Sequence, residues 1–326
     1  PLFMSGCGGN NSHANVGLLY CSAEANSLYQ VKEVEKALKA KGLSTKLISF
    51  ENSNDISSVL NGSIKKIDTL YIPTDNTCAS NAATIDAIVR DNKIPVFAGE
   101  EGLCKGCGAI TLSISYYNIG VKTGEMAIDV LLGNKDISTM AIAYDESPVK
   151  KYNADFCNEV GISVPSDYSE LDDASASSAV RVNITNQNTE NKKFTIGISQ
   201  LVTHDALDAA TNGFMDAVKA GLGEDNVTFD LQNAAAQTEL CASIANNFVS
   251  HNYDLIMANA TPALQAAANS TTTIPILGTS VTEYGVALGI KDFNGTVGGN
   301  ISGTSDLAPL NEQADMLATV FRDFMK

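Results

Sequence analysis

Tryptophan is absent from the 326-residue chain, histidine occurs three times, and no stretch approaches the ~18 consecutive apolar residues of a membrane span. Basic side chains are also scarce. Lys and Arg total 21 against 37 Asp and Glu, giving a net charge of -16. Nucleic acid needs a basic footprint and is excluded as a partner. The same balance favours a soluble, weakly self-associating chain, and a monomer is expected. The histidines, His13, His204 and His251, do not complete a zinc site with the Cys104-Lys-Gly-Cys107 pair, which would want a second pair or two suitably spaced histidines. Seven cysteines is an odd count, so at least one is unpaired within the chain. The CxxC falls between two strand-like runs and reads as a loop thiol pair, able to form a local disulfide. The other cysteines read as small core residues. Neither first strand is followed by a nucleophile elbow, a P-loop or a Gly-rich dinucleotide fingerprint. An enzyme reading therefore fares poorly, and no cofactor or metal is expected.

What is present is an alternation that plays twice. Apolar residues make up 44% of the chain, enough for each of two domains to bury a core. VGLLYC at 16–21 is a short continuous apolar run of the buried parallel type. Leu28, Val31, Val34 and Leu38 then recur at helical spacing, and Gly42 supplies a C-terminal stop. Strands at 45–50, 69–72 and 95–98 follow, separated by helices from 55 and over 77–91. The second half repeats this, with strands at 194–200, 227–231, 254–258 and 274–278 and helices over 206–220, near 239–250 and from 262. The registers agree: Val16 and Ile196, like Pro95 and Pro275, stand 180 residues apart. The pattern predicts an α/β fold of two Rossmann-like lobes with parallel sheets and a ligand cleft between them. Between the repeats, 171–193 is rich in Ser, Asn, Thr, Asp and Ala without helical periodicity and reads as a linker.

Ligands of open parallel sheets bind beyond the carboxyl ends of the strands. The loops there carry small polar residues: 21–27 and 200–205 after the first strands, 73–77 and 258–262 after the third, 99–102 and 279–282 after the fourth. Thr261-Pro262 places a capping hydroxyl before a first-turn proline, with Ser27 and Thr77 in comparable positions. Such helix starts suit an anion, or are merely capped. Asp75, Glu100, Glu101 and Asp306 are what an ammonium group would need, or are solvated or capping carboxylates.

Specific runs then suggest a family. FTIGISQLVTHDALDAATNGFMDAV, DLIMANATPALQAAA, IPILGTSVT and GNISGTSDLAPLNEQADML resemble the first half of the tryptophan/tyrosine-type ABC-transporter substrate-binding proteins. NVGLLYCSAEANSLYQVKEVEKALKAKGL, DTLYIPTDNTCASNAATI, IPVFAGEEG and AITLSISYYNIGVKTGEMAIDVLLGN resemble their second half. The resemblance implies a periplasmic-binding-protein type I fold. It also implies an extracytoplasmic receptor that closes on a small amino acid-like, aromatic ligand for an ABC permease and its ATPase. The halves stand in exchanged order, as in a circular permutation or a piece of tandem copies. The expected organisation is one lobe from 14–113 plus 140–168 and the other from 194–305 plus 115–134. A crossover helix would occupy 306–326, and 1–13 would lie at a seam. Met4–Cys7 also matches a lipidation box, so Cys7 is either an anchor or a spare thiol. Ser115 stands where relatives tend to carry Asp, which leaves the ammonium to Asp306 or Asp75, with Tyr116 available to stack on the ligand. Ser22, Glu24, Asn26, Thr74, Asp75, Asn76 and Glu100 are expected on one wall of the cleft. Thr203, His204, Thr261, Ser280, Thr282, Ser305 and Asp306 are expected on the other. A sugar or nucleoside ligand on the same fold, or a permuted scaffold acting as a sensor, are the alternatives.

Overall fold

A computed structural model describes residues 14–145, 147–171 and 192–325. Cys7, the 1–13 segment and most of the 171–193 linker lie outside the described residues. The first repeat runs β1 (Ala14–Cys21), α1 (Ala25–Ala40), β2 (Thr45–Phe50), α2 (Ile56–Ser63), β3 (Ile67–Ile72) and α3 (Asn76–Ser80). It continues through α4 (Ala82–Asp91), β4 (Val96–Ala98), α5 (Glu101–Cys107) and β5 (Ile110–Ser113). A connecting region follows: α6 (Tyr116–Leu131), β6 (Ala143–Tyr144), β7 (Val149–Tyr152), α7 (Ala154–Val160) and β8 (Ser169–Glu170). The second repeat is β9 (Phe194–Gln200), α8 (Asp205–Leu222), β10 (Val227–Asn233), α9 (Thr238–Ser250) and β11 (Leu255–Asn259). It ends with α10 (Thr261–Ser270), β12 (Ile276–Val281), α11 (Tyr284–Leu288), β13 (Ile301–Ser305) and α12 (Leu310–Phe324).

Two sheets result, with the same strand logic. One is ordered β2-β1-β3-β4-β5-β7-β8, the other β10-β9-β11-β12-β13-β6. The repeat strands pair in parallel; β7 runs antiparallel to β5, and β8, parallel to β7, is reversed with it. Strands covered on both faces need apolar residues at every position, which is why VGLLY reads as a continuous run. Val16, Leu18 and Leu19 are fully buried. On α1 the stripe Val31, Val34 and Leu38 faces the sheet, and Gly42 takes φ +79 just past the helix end, a conformation costly for a residue with a Cβ.

Each sheet borrows a helix reached by crossing from the other repeat. Helix α12 packs on the first sheet, pinned by the buried side chain of Gln313. Its Nε2 donates to Gly99 O (3.0 Å) and Leu112 O (2.7 Å), and its Oε1 accepts from the Tyr71 hydroxyl (2.6 Å). Helix α6 packs along α8 on the second sheet, so closely that a Cβ at Gly120 would run into Ala210 O and one at Gly213 into Tyr117 O. Glycine there lets backbone meet backbone. The end of α12 and the start of β1 reach one corner of the first lobe: Arg322 Nη2 donates to Lys41 O (2.6 Å), and Asn15 N to Ser44 Oγ (2.9 Å).

Three expectations need correction. The 140–144 segment does not return to the first lobe. β6 pairs with β13, and Ser302 Oγ donates to Met140 O (3.0 Å), so the chain crosses back between Tyr144 and Val149. The helix over 77–91 is two helices, broken at Asn81, whose φ of -121 and ψ of 21 are not helical. The CxxC is not in a loop but on α5, where Cys104 and Cys107 are both fully buried and free. The apolar environment that excludes water from these thiols also raises their pKa. All six described cysteines are free and buried.

Candidate functional site

The carboxyl ends of both sets of parallel strands face one another, and side chains bridge them. From the first lobe, Gln30 Nε2 donates to Thr282 Oγ1 (3.4 Å) and Asn76 Oδ1 meets His204 Nε2 (3.2 Å). At the rim, Lys105 pairs with Asp205 (3.3 Å). Around these bridges Glu24, Asn26, Thr74, Asp75, Asn76, Glu100, Tyr116, Thr261, Ser280, Thr282, Ser305 and Asp306 are all buried. The structure thus brings most of the expected wall residues together. Ser22 and Thr203 stay exposed, Ser22 donating to Phe50 O and Thr203 accepting from Asn233 Nδ2, each in its own rim turn.

Most of the first-lobe carboxyls are spent on the chain itself. Glu24 Oε2 accepts from Asn76 N (3.1 Å) and Nδ2 (2.8 Å), and its Oε1 accepts from Thr77 N (2.8 Å) and Oγ1 (2.7 Å). Asp75 accepts from Cys21 N (2.6 Å) and Cys78 N (2.7 Å). The start of α3 is therefore already occupied by two carboxyls, and the expected ligand anion beside Thr77 has no place there. Asp75 is likewise a cap rather than an open ammonium partner. Glu100 caps α5 through Gly102 N (2.6 Å) and Leu103 N. Burial pushes Glu100 up to about 7 and Asp75 up to about 7, the latter helped by the neighbouring Glu24. Ser27 does not cap α1 but donates to Thr74 O (3.3 Å). Ser305 closes its own turn, donating to Thr282 O (2.8 Å) and accepting from Leu307 N (3.1 Å).

In the second lobe Glu283 caps α11, but the start of α10 is left open. Thr261 begins α10 rather than capping it. The N-cap is Ala260, at φ +90 and with no side-chain hydrogen bond, so the first N–H groups of a ten-residue helix lack a side-chain acceptor. Ser280 is also held at positive φ, +52. Such strained non-glycine positions cluster where a backbone is arranged for a ligand. Asp306 Oδ2 accepts from the Tyr116 hydroxyl (2.8 Å), which ties that ring to the site through its oxygen. Burial raises the Asp306 pKa, while the Tyr116 and Thr282 hydroxyls pull it down. Among the described residues, six buried polar atoms lack a hydrogen-bond partner: Asn26 Oδ1, Ser199 Oγ, His204 Nδ1, Asn259 Oδ1, Ser280 Oγ and Asp306 Oδ1. All six stand at or just beyond strand carboxyl ends. Native interiors usually pair such groups, which makes these six the unsatisfied polar atoms of the candidate site.

Sequence reasoning missed three of the participants. Gln30 sits on the buried face of α1, with Nε2 and Oε1 both engaging Thr74 main-chain atoms (3.2 and 3.3 Å). A polar residue on an apolar stripe was the available signal. Asn259 ends a fully buried strand and Ser199 lines one buried at all but one position, where a polar side chain is itself unusual.

Comparison with known proteins bears on what this cleft is. The profile of the ABC transporter substrate binding protein family matches residues 12–167 and 195–326. A tyrosine-binding protein of Clostridioides difficile (strain R20291) is 40% identical over 164 residues, 49% of this chain and 46% of that protein. The chain thus spans about half the length of this curated relative. The ABC domain from Streptococcus pneumonia solved with L-Trp shares 25% identity over 48% of this chain and 56% of its own, at a TM-score of 0.46. GanP, a glucose-galactose binding protein from Geobacillus stearothermophilus, aligns over 96% of this chain and 92% of its own at 12% identity, with a TM-score of 0.60. That breadth shows a shared two-lobed fold, the periplasmic-binding-protein type I arrangement. Since the family profile covers both repeats and the region connecting them, the chain belongs to the ABC transporter substrate-binding protein family.

Proposed function

We propose that the protein binds an aromatic L-amino acid between its lobes and delivers it, outside the cytoplasm, to an ABC permease and its ATPase. The carrying observation is Asp306 Oδ1, a buried carboxylate oxygen with no hydrogen-bond partner, in a cleft where Glu24, Asp75 and Glu100 are already engaged by the chain's own donors. An ammonium group supplies both the missing donors and the opposite charge. The uncapped start of α10, beside Thr261 and Ser280, suits the carboxylate of the same ligand. The kinship with a protein named for tyrosine binding supports the aromatic class. The reading as a binding protein is supported by the first-lobe acids, since Asp75 and Glu100 accept main-chain N–H groups and Glu24 accepts N–H groups and the Thr77 hydroxyl at helix starts. The Gln30–Thr282 and Asn76–His204 bridges form only when the lobes meet, so the ligand acts by favouring the closed form. Among the described residues no helix is long and apolar enough to cross a membrane.

The exchanged order of the family halves is part of this reading. It is supported by the corner at which Arg322 and Asn15 bond the same α1–β2 turn, where a short connection would restore the family order.

A thermal-shift screen of amino acids, nucleosides and sugars tests the ligand class. Stabilisation by aromatic amino acids is expected, and stabilisation by sugars or nucleosides alone would overturn it. Asp306→Asn removes the charge and should weaken amino-acid binding by roughly 10–100-fold, the scale of a hydrogen bond to a charged group. A deaminated analogue should lose much less.

A further inference from the structure

The bond between Asn76 and His204 fixes more than lobe contact. Asn76 Nδ2 donates to Glu24 Oε2 at 2.8 Å, a carboxylate oxygen that also takes the Asn76 main-chain N–H. The amide can therefore present only its oxygen to His204, and that oxygen lies 3.2 Å from Nε2. An oxygen acceptor requires the proton on Nε2. The imidazole is neutral, since burial lowers its pKa to about 4 against a weaker opposing effect of Asp205. A neutral ring with its proton on Nε2 has a bare lone pair on Nδ1. That nitrogen is buried and has no partner.

We infer that His204 Nδ1 is an acceptor held ready for a hydrogen-bond donor on the ligand's ring, so that the site selects aromatic amino acids carrying a phenol O–H or indole N–H over phenylalanine. This rests on the proposed amino-acid function and assigns its side-chain end. His204 follows β9 and Asp306 follows β13, and β11 and β12 lie between those strands. Three strand spacings put the two loops about 14 Å apart at the strand ends. A ligand whose ammonium meets Asp306 therefore reaches His204 only with the far end of a long side chain. Asn76 is the positioning residue: it touches the imidazole and sets its tautomer, and Glu24 sets Asn76.

A site built to bond a donor rejects the analogue that lacks it, because its own acceptor is left unpaired and buried. Titration calorimetry on the full chain reads this directly, using L-tyrosine against L-phenylalanine and O-methyl-L-tyrosine, and L-tryptophan against 1-methyl-L-tryptophan. The expected result is that the better-bound parent exceeds its donor-free counterparts by roughly tenfold or more. His204→Phe should collapse that ratio to near unity, whatever change the ligands share. A wild-type protein that binds these ligands without preferring the donor, or a ratio unchanged in His204→Phe, overturns the inference and leaves the amino-acid function standing. Failure of every aromatic amino acid to bind overturns both. Nitrogen-15 NMR of the wild-type imidazole needs no variant: the His204 Nδ1 resonance should move toward the hydrogen-bonded range with L-tyrosine and stay put with L-phenylalanine. Equal responses to the two would refute the assignment.

Discussion

Replacing Gln313 by Leu tests how α12, reached by crossing over from the second sheet, is held on the first. The side chain is fully buried and engages three partners, Tyr71 Oη, Gly99 O and Leu112 O. Leucine keeps the approximate volume, so the cost is mainly that of stranded polar groups. The Tyr71 hydroxyl, itself in a fully buried residue, has Gln313 Oε1 as its acceptor, and an unsatisfied buried donor costs about 1–3 kcal/mol. The two carbonyls each lose one donor but keep a second lone pair, adding about 1 kcal/mol apiece. A total of roughly 3–5 kcal/mol is a large fraction of the ~5–15 kcal/mol that holds a typical domain folded. Chemical denaturation followed by far-UV circular dichroism measures it. The decisive comparison is the double variant Gln313→Leu/Tyr71→Phe, which removes the stranded hydroxyl and should recover about 1–2 kcal/mol relative to Gln313→Leu alone. A double variant no more stable than the single one would refute the reasoning, since the hydroxyl would not then be the group left unpaired.

Two other expectations concern the buried acids and the order of the halves. Burial raises Glu100 from 4.5 to about 7, so the folded state binds its proton more tightly than the unfolded chain does. The associated stability is fully present below the unfolded value and lost as pH rises through about 7, with Asp75 acting in the same direction. The melting temperature should fall between about pH 5 and pH 8, and less steeply in Glu100→Gln; identical slopes would show that the group does not titrate as described. The proposed exchange of halves predicts that a chain with 192–325 placed before 14–171 folds and binds the same ligand, by circular dichroism and calorimetry. An unfolded or non-binding product would count against interchangeable order.

The strands and most helices were legible because burial on two faces forces continuous apolar runs, and burial on one face forces a helical stripe. The 194–200 strand, buried at all but one position, falls at the observed bounds for that reason, whereas 45–50 matches as an edge strand that buries only Ile48 and Phe50. What escaped was set by tertiary contact. Nothing local in 140–144 says which sheet edge it joins, since a two-residue strand carries no period. The break at Asn81 interrupts a stretch whose composition stays helical on both sides. The cleft loops could be located from topology, but not the division of labour within them. Whether Asp75 faces a ligand or the N–H of Cys21 depends on how the β1 and β3 loops pack. Gln30 was passed over although its place on the apolar stripe of α1 was a readable signal, and Asn259 fell within a predicted cleft loop without being singled out, because its partners lie on other elements.

That division of labour gives the cleft a direction. The first lobe fills the starts of two cleft helices with its own acids: Glu24 and Asp75 on α3, Glu100 on α5. The second lobe leaves α10 without a side-chain cap and holds five of the six unpaired buried atoms, on Ser199, His204, Asn259, Ser280 and Asp306; Asn26 alone belongs to the first. A ligand that completes these bonds makes most of its polar contacts with the second lobe whether or not the first has closed. The first lobe then contributes Asn26 and two bridges, Gln30 to Thr282 and Asn76 to His204. The second of these is also what holds the imidazole in the tautomer that offers Nδ1. Closure and recognition are therefore coupled at one side chain: the donor-reading form of His204 is set only when Asn76 arrives from across the cleft.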